Sequence, residues 1–184
     1  MNDVLQTIKS RRSVRKYKSE QISGENLQLI LEAGVYAPSA HNEQPWHFTV
    51  IQNPEVLEHI NAYVGREMLN SEDEWVRKMA SAPNFKVTYN APTLIVVSGK
   101  TDAMAPMVDC SAAIQNMVLA AESLGIGSVW LGLLRFIFRD EQEMAGLGIP
   151  EGYQPFYGVS LGYNANDKKL PGPKRNMAVV NYIR

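Results

Sequence analysis

Cysteine is nearly absent from this chain of 184 residues: there is one, Cys110, so no intramolecular disulfide can form. Cys110 falls inside an apolar helical pattern and is expected to act as a small buried hydrophobe rather than a nucleophile. Long apolar runs are also missing, and none approaches the ~18 residues of a membrane span. The opening Met-Asn-Asp-Val-Leu-Gln lacks the basic-then-apolar layout of a signal peptide, so the cytoplasm is the expected compartment. Neither sign of charge dominates. Eighteen Lys and Arg against 19 Asp and Glu leave a net charge of −1. That balance argues against a main task of binding nucleic acid or an anionic membrane. Histidine is scarce, and His41, His47 and His59 offer no third ligand beside the first two, so no metal site is expected. No Gly-x-Gly-x-x-Gly turn joins a strand to a helix, and no Walker-type phosphate loop occurs. A Rossmann or P-loop reading therefore lacks support. A serine hydrolase or Cys-His nucleophile context is missing as well.

What is present has an ordinary globular composition, with 45% apolar and 20% charged residues. No repeat and no Gly/Ser-rich linker divides residues 1–184, so a single domain is expected. Apolar spacing predicts a short helix over 3–10. A second helix is capped by Ser23, with Ile22 and Leu27 placed as a hydrophobic staple, and ends near Ala37 because of Pro38. His47 to Ile51 reads as a strand. The polar stretch between Asn53 and Phe85 reads as a solvated helical excursion. Thr93 to Ser98 has the continuous apolar pattern of a buried strand. Asp109 to Leu124 is a helix with a broad apolar stripe that Gly125 can end. Strands over 128–133 and 156–163 flank a short helix over 140–147. Helices and strands mix without regular alternation, which favours an α+β sandwich.

Three segments have chemical potential. Arg11-Arg12-Ser13-Val14-Arg15-Lys16 follows the first helix, and Lys174-Arg175 follows the stiff Pro171-Gly172-Pro173. Guanidinium forks and a serine hydroxyl suit a phosphate dianion. Composition alone favours solvated surface for both clusters. The third segment, Pro38-Ser39-Ala40-His41-Asn42-Glu43-Gln44-Pro45-Trp46-His47-Phe48, is a loop held by two prolines. Its small polar and amide side chains could meet the edge of a planar heterocycle, or it could merely connect helix to strand.

These three segments occur in order with Asn-Ala-Pro-Thr-Leu-Ile-Val-Val at 90–97 and Asp-Cys-Ser-Ala-Ala-Ile-Gln-Asn-Met at 109–117. Ser-Val-Trp-Leu-Gly at 128–132 and Leu-Gly-Tyr at 161–163 follow. Together they resemble the nitroreductase-like family of FMN-dependent oxidoreductases. The resemblance implies a central, mostly antiparallel sheet flanked by helices, in an intertwined homodimer. It implies that Arg11, Arg12, Ser13, Lys174 and Arg175 hold the FMN phosphate and ribityl chain, with Arg15 near the pyrimidine side of the ring. Pro38, Ser39, Ala40 and Asn42 would reach the isoalloxazine from the other subunit, and Leu131 and Gly132 would offer backbone groups near N5. Residues 61–85 would roof the substrate, and 176–184 would embrace the partner. Asn84 is a loosely aligned candidate for a further ring contact. Ala40 stands where many relatives have serine. The implied activity is transfer of reducing equivalents from NADH or NADPH to a small aromatic or quinone-like acceptor, in ping-pong fashion with no obligatory side-chain acid or base. Reductive dehalogenation or flavin-consuming chemistry on the same fold, or FMN storage without turnover, are the alternatives.

Overall fold

The computed structural model describes residues 2–166 and 171–184. The elements run α1 (Asp3–Ser10), α2 (Gly24–Val35), β1 (Trp46–Ile51), α3 (Pro54–Leu69), α4 (Glu74–Ala80), β2 (Thr93–Lys100), α5 (Pro106–Ser123), β3 (Gly127–Leu131), α6 (Glu141–Gly146) and β4 (Tyr153–Gly162). Tight 3₁₀ segments lie at Ala40–Asn42 and Leu133–Arg139. The sheet order is β1-β2-β4-β3, and every neighbouring pair of these strands is antiparallel. None of the helices among the described residues is long and apolar enough to cross a membrane.

Local chemistry explains the helix ends. Ser23 accepts a hydrogen bond from the Asn26 N–H at 3.2 Å, and Ile22 and Leu27 lie in one apolar cluster, as a capped and stapled helix requires. α5 stops where Gly125 takes φ +73, a left-handed conformation that costs glycine little. The Ile126 N–H then closes on the Ala121 carbonyl at 2.8 Å and that of Gly125 on Glu122 at 3.1 Å, satisfying carbonyls the helix would leave open.

β2 occupies the middle of the sandwich and is buried from Thr93 to Gly99. Its side chains alternate between faces, so Leu94 and Val96 join one core and Ile95 and Val97 the other. The second core is covered by α2 and α5, where Ile30, Ile114 and Met117 are fully buried. The first is covered by α3, α4 and the 133–139 segment, through Ile60, Val64, Met68, Val76 and Leu134. This corrects the expectation for residues 53–85. They are helical, but they are half the roof of a core rather than a solvated excursion. Leu57, Ile60, Val64 and Met68 recur at helical spacing between the charges, and that stripe was available in the sequence.

Cys110 is fully buried on α5, and its thiol donates to the Ser98 carbonyl at 3.3 Å. Burial pushes it from an ordinary 9.0 up to about 12, with the neighbouring Asp109 adding to the shift. Folding therefore favours the neutral thiol. This contribution to stability is complete below about pH 9 and is lost as pH rises from there toward about 12. Native protein is expected to resist iodoacetamide at about pH 8, where an ordinary thiol reacts, and to label once unfolded in urea. Stoichiometric labelling of the folded protein, read by mass spectrometry, would contradict the burial.

Candidate active-site cleft

Leaving α1, the chain runs beside the far edge of the sheet. The Val14 N–H donates to the Ser128 carbonyl and that of Lys18 to Tyr163, both at 2.9 Å. Ser13 bridges Ser128, and Tyr17 bridges Asn164. The basic run 11–16 is thereby fastened along β3 and the end of β4. Arg11 caps α1, donating its N–H to the Thr7 carbonyl at 3.0 Å. Arg12 turns back on the helix end, where its Nη1 donates to the carbonyls of Lys9 and Arg11, each at 2.7 Å. Its Nε is buried and has no hydrogen-bond partner among the described residues. Gly172 backs directly onto this guanidinium, leaving no room for a side-chain carbon. The two basic clusters are thus brought together through Arg12 and Gly172, with Lys174 and Arg175 exposed just beyond.

Arg15 points elsewhere. Its guanidinium lies 5.7 Å from the Tyr89 ring centroid, at a cleft of about 410 Å³ whose floor is Leu131, Gly132 and Leu133 at the end of β3. Trp75 and Met79 of α4, with Phe85 and Val87, form one wall. Tyr89, Trp130 and Arg135 complete the lining. No carboxylate lines it among the described residues. The sequence names Arg15, Leu131 and Gly132 individually, and Trp75, Met79 and Phe85 only as part of the 61–85 segment expected over the substrate. Arg135 was not singled out. Asn84 is exposed, has φ +58 and is not among the lining residues.

The loop over 38–48 lies apart from this cleft. Ser39 Oγ accepts from the Gln44 N–H at 3.0 Å, and the Ala40 N–H donates to the Asp109 carboxylate at 3.2 and 3.3 Å. Gln44 Nε2 donates to Asn42 Oδ1 at 3.1 Å. His41, Asn42 and Gln44 all have left-handed φ, between 48 and 57. Such backbone costs about 1–3 kcal/mol per residue and persists only where surrounding contacts enforce it. Because this loop feeds β1 and the cleft lies at β3, the two occupy opposite edges of the sheet. One chain therefore does not bring Pro38, Ser39, Ala40 and Asn42 to Arg15, Leu131 and Gly132.

A larger opening, about 970 Å³, lies between the end of α3 and the start of α6. There the Tyr63 hydroxyl donates to Asp140 Oδ2 at 2.8 Å. This bond pushes Tyr63 up to about 12 and holds Asp140 below its usual range. None of the sequence-predicted site residues lines that opening.

Residues 8–163 match the model of the Nitroreductase family. The chain belongs to that family. Among curated nitroreductase relatives, a protein of Archaeoglobus fulgidus named as an NADH dehydrogenase/NAD(P)H nitroreductase is 39% identical over 173 residues, 91% of this chain and 89% of its own. A nitroreductase of Bacteroides fragilis, solved with bound FMN, superposes with a TM-score of 0.91 at 37% identity, over 100% of both chains. A second, from Desulfitobacterium hafniense and also with bound FMN, gives 0.89 at 32%, again over 100% of both.

Proposed function

We propose that this nitroreductase-family chain is an FMN-dependent oxidoreductase that passes reducing equivalents from NADH or NADPH to a small oxidised acceptor, a nitroaromatic or a quinone. The observation that carries the reading is the buried Nε of Arg12, which has no hydrogen-bond partner among the described residues. A buried guanidinium donor left without an acceptor is costly, and a phosphate oxygen would satisfy it. Gly172 packs against the same guanidinium, where any side chain would collide with Arg12. Arg11, Arg12, Ser13, Lys174 and Arg175 are the residues that would hold the phosphate and ribityl chain.

When bound, the flavin supplies the two-electron redox chemistry, and the protein's part is to bind, orient and tune it. Arg15 would place a permanent positive charge beside the pyrimidine side, favouring the more negatively charged redox state. Leu131 and Gly132 would present backbone groups to the reactive edge. Donor and acceptor would occupy one cleft in turn, which favours ping-pong kinetics. No carboxylate or histidine lines the cleft among the described residues, so solvent would be the proton source for the acceptor.

The site is completed by a second copy of the chain. Pro38, Ser39, Ala40 and Asn42 lie at the wrong edge of the sheet to serve their own cleft. Val4, Leu5 and Ile8 of α1, Tyr36 after α2, and Met107 and Val108 of α5 are all exposed. Val179, Val180, Tyr182 and Ile183 of the tail are exposed too, with Ile183 at 96%. So much apolar surface suits an interface rather than a solvated face. Purified protein is expected to be yellow and dimeric by sedimentation. Its flavin bands should bleach on anaerobic addition of NADH or NADPH and return with a nitroaromatic or quinone. A colourless protein that FMN does not reconstitute would overturn the reading. A flavin that binds but is not reduced would leave only a storage role.

A further inference from the structure

Resting on the reading above, the cleft also has a stated preference for what enters it. On that reading Arg15, Leu131 and Gly132 would face the flavin, while Trp75, Phe85 and Arg135 of the same lining remain without an assigned part. Trp75 is 61% exposed on α4, a large apolar ring open to solvent at the mouth of a cleft. An exposed indole beside Phe85 and Met79 suits a planar ring laid against it. Arg135 is exposed, lies 5.4 Å from the Phe136 ring centroid, and forms no ion pair with a carboxylate among the described residues. The lining contains no Asp or Glu among the described residues, in a chain whose overall charge is slightly negative. With Arg15 facing the flavin, the Arg135 charge is the one an entering guest would meet, and a neutral guest would leave it unanswered.

We propose that Arg135 is a specificity-determining residue, selecting acceptors whose ring carries a carboxylate or a similar anionic group. The ring packs on Trp75 and Phe85, and the anion meets the Arg135 fork, which suits a carboxylate better than an ammonium does. On this proposal the anion at Arg135 belongs to the acceptor and not to the phosphates of the dinucleotide, which the KM for the nicotinamide distinguishes.

The test uses the holoenzyme and two acceptors of nearly equal shape, para-nitrobenzoate and para-nitrobenzamide, at saturating reduced nicotinamide. Wild type is expected to prefer the anion by about tenfold in kcat/KM, equivalent to about 1.4 kcal/mol. Arg135→Gln should bring that ratio close to one, chiefly through KM, and Arg135→Lys should restore part of it. Because the readout is a ratio, altered folding or flavin content cancels. Equal use of both acceptors by wild type, or an unchanged ratio in Arg135→Gln, overturns the proposal. So does a loss that falls equally on both acceptors and appears in the KM for the nicotinamide, which would assign Arg135 to the donor. If neither compound is turned over, calorimetric titration with the same pair decides. Tighter binding of the benzoate that Arg135→Gln abolishes supports anion selection, and equal or absent binding overturns it. Bleaching of the flavin by NADH or NADPH, recorded separately, reports whether the underlying oxidoreductase reading has failed.

Discussion

Replacing Met117 with alanine is expected to lower the stability of the folded chain by about 2–5 kcal/mol. Met117 is fully buried on α5, between the sheet and α2, in the cluster that includes Ile30, Ile95 and Ile114. Truncation removes the transfer free energy of its side chain and leaves a cavity that helix and sheet can close only in part. The Gly34 backbone approaches Met117 closely, since a carbon added to Gly34 would lie 3.0 Å from Met117 Cγ. Urea unfolding at a fixed protein concentration measures the effect. The midpoint should fall with little change in slope. A loss below about 1 kcal/mol would mean that α2 can settle onto α5 and that the core is more compliant than its burial indicates.

Arg12→Ala is expected to weaken FMN binding by about 1.5–3 kcal/mol, the range for a hydrogen bond to a charged group. That corresponds to roughly a 10- to 150-fold rise in the dissociation constant. The same substitution removes the bonds from Arg12 to the Lys9 and Arg11 carbonyls, so a structural effect on the end of α1 must be separated from loss of the phosphate contact. Riboflavin, which lacks the phosphate, separates them. If Arg12 acts on the phosphate, FMN affinity falls while riboflavin affinity stays nearly constant. A parallel loss for both ligands would make Arg12 a fastening for α1, and the phosphate assignment would then rest on Arg11, Ser13, Lys174 and Arg175 alone.

Both substitutions sit on features that differ in how openly the sequence announced them. The α5 stripe around Met117 was legible because a 3.6-residue period marks one face of a helix whatever it packs against. Arg12 was legible as part of a basic run, yet nothing in that run separates a phosphate cradle from solvated surface. Only the folded chain brings Gly172, about 160 residues downstream, against that guanidinium and leaves its Nε buried with no partner among the described residues. The 53–85 stretch went the other way. Its charges suggested solvation, while its apolar positions at 57, 60, 64 and 68 cover one face of the sheet.

The sequence by itself determined the local matters: the spans of α1 and α2 and the stop of α5, which strand is buried on both faces, and that Cys110 is a core residue. Each follows from capping groups, glycine geometry and apolar period, which act within a few residues. Only the tertiary structure decided which distant segments meet. It placed β4 between β2 and β3, and set Arg15 and Arg135 into one aromatic cleft. It also put the 38–48 loop at the sheet edge opposite that cleft. Such pairings depend on strand order and long-range packing, and no local periodicity encodes them.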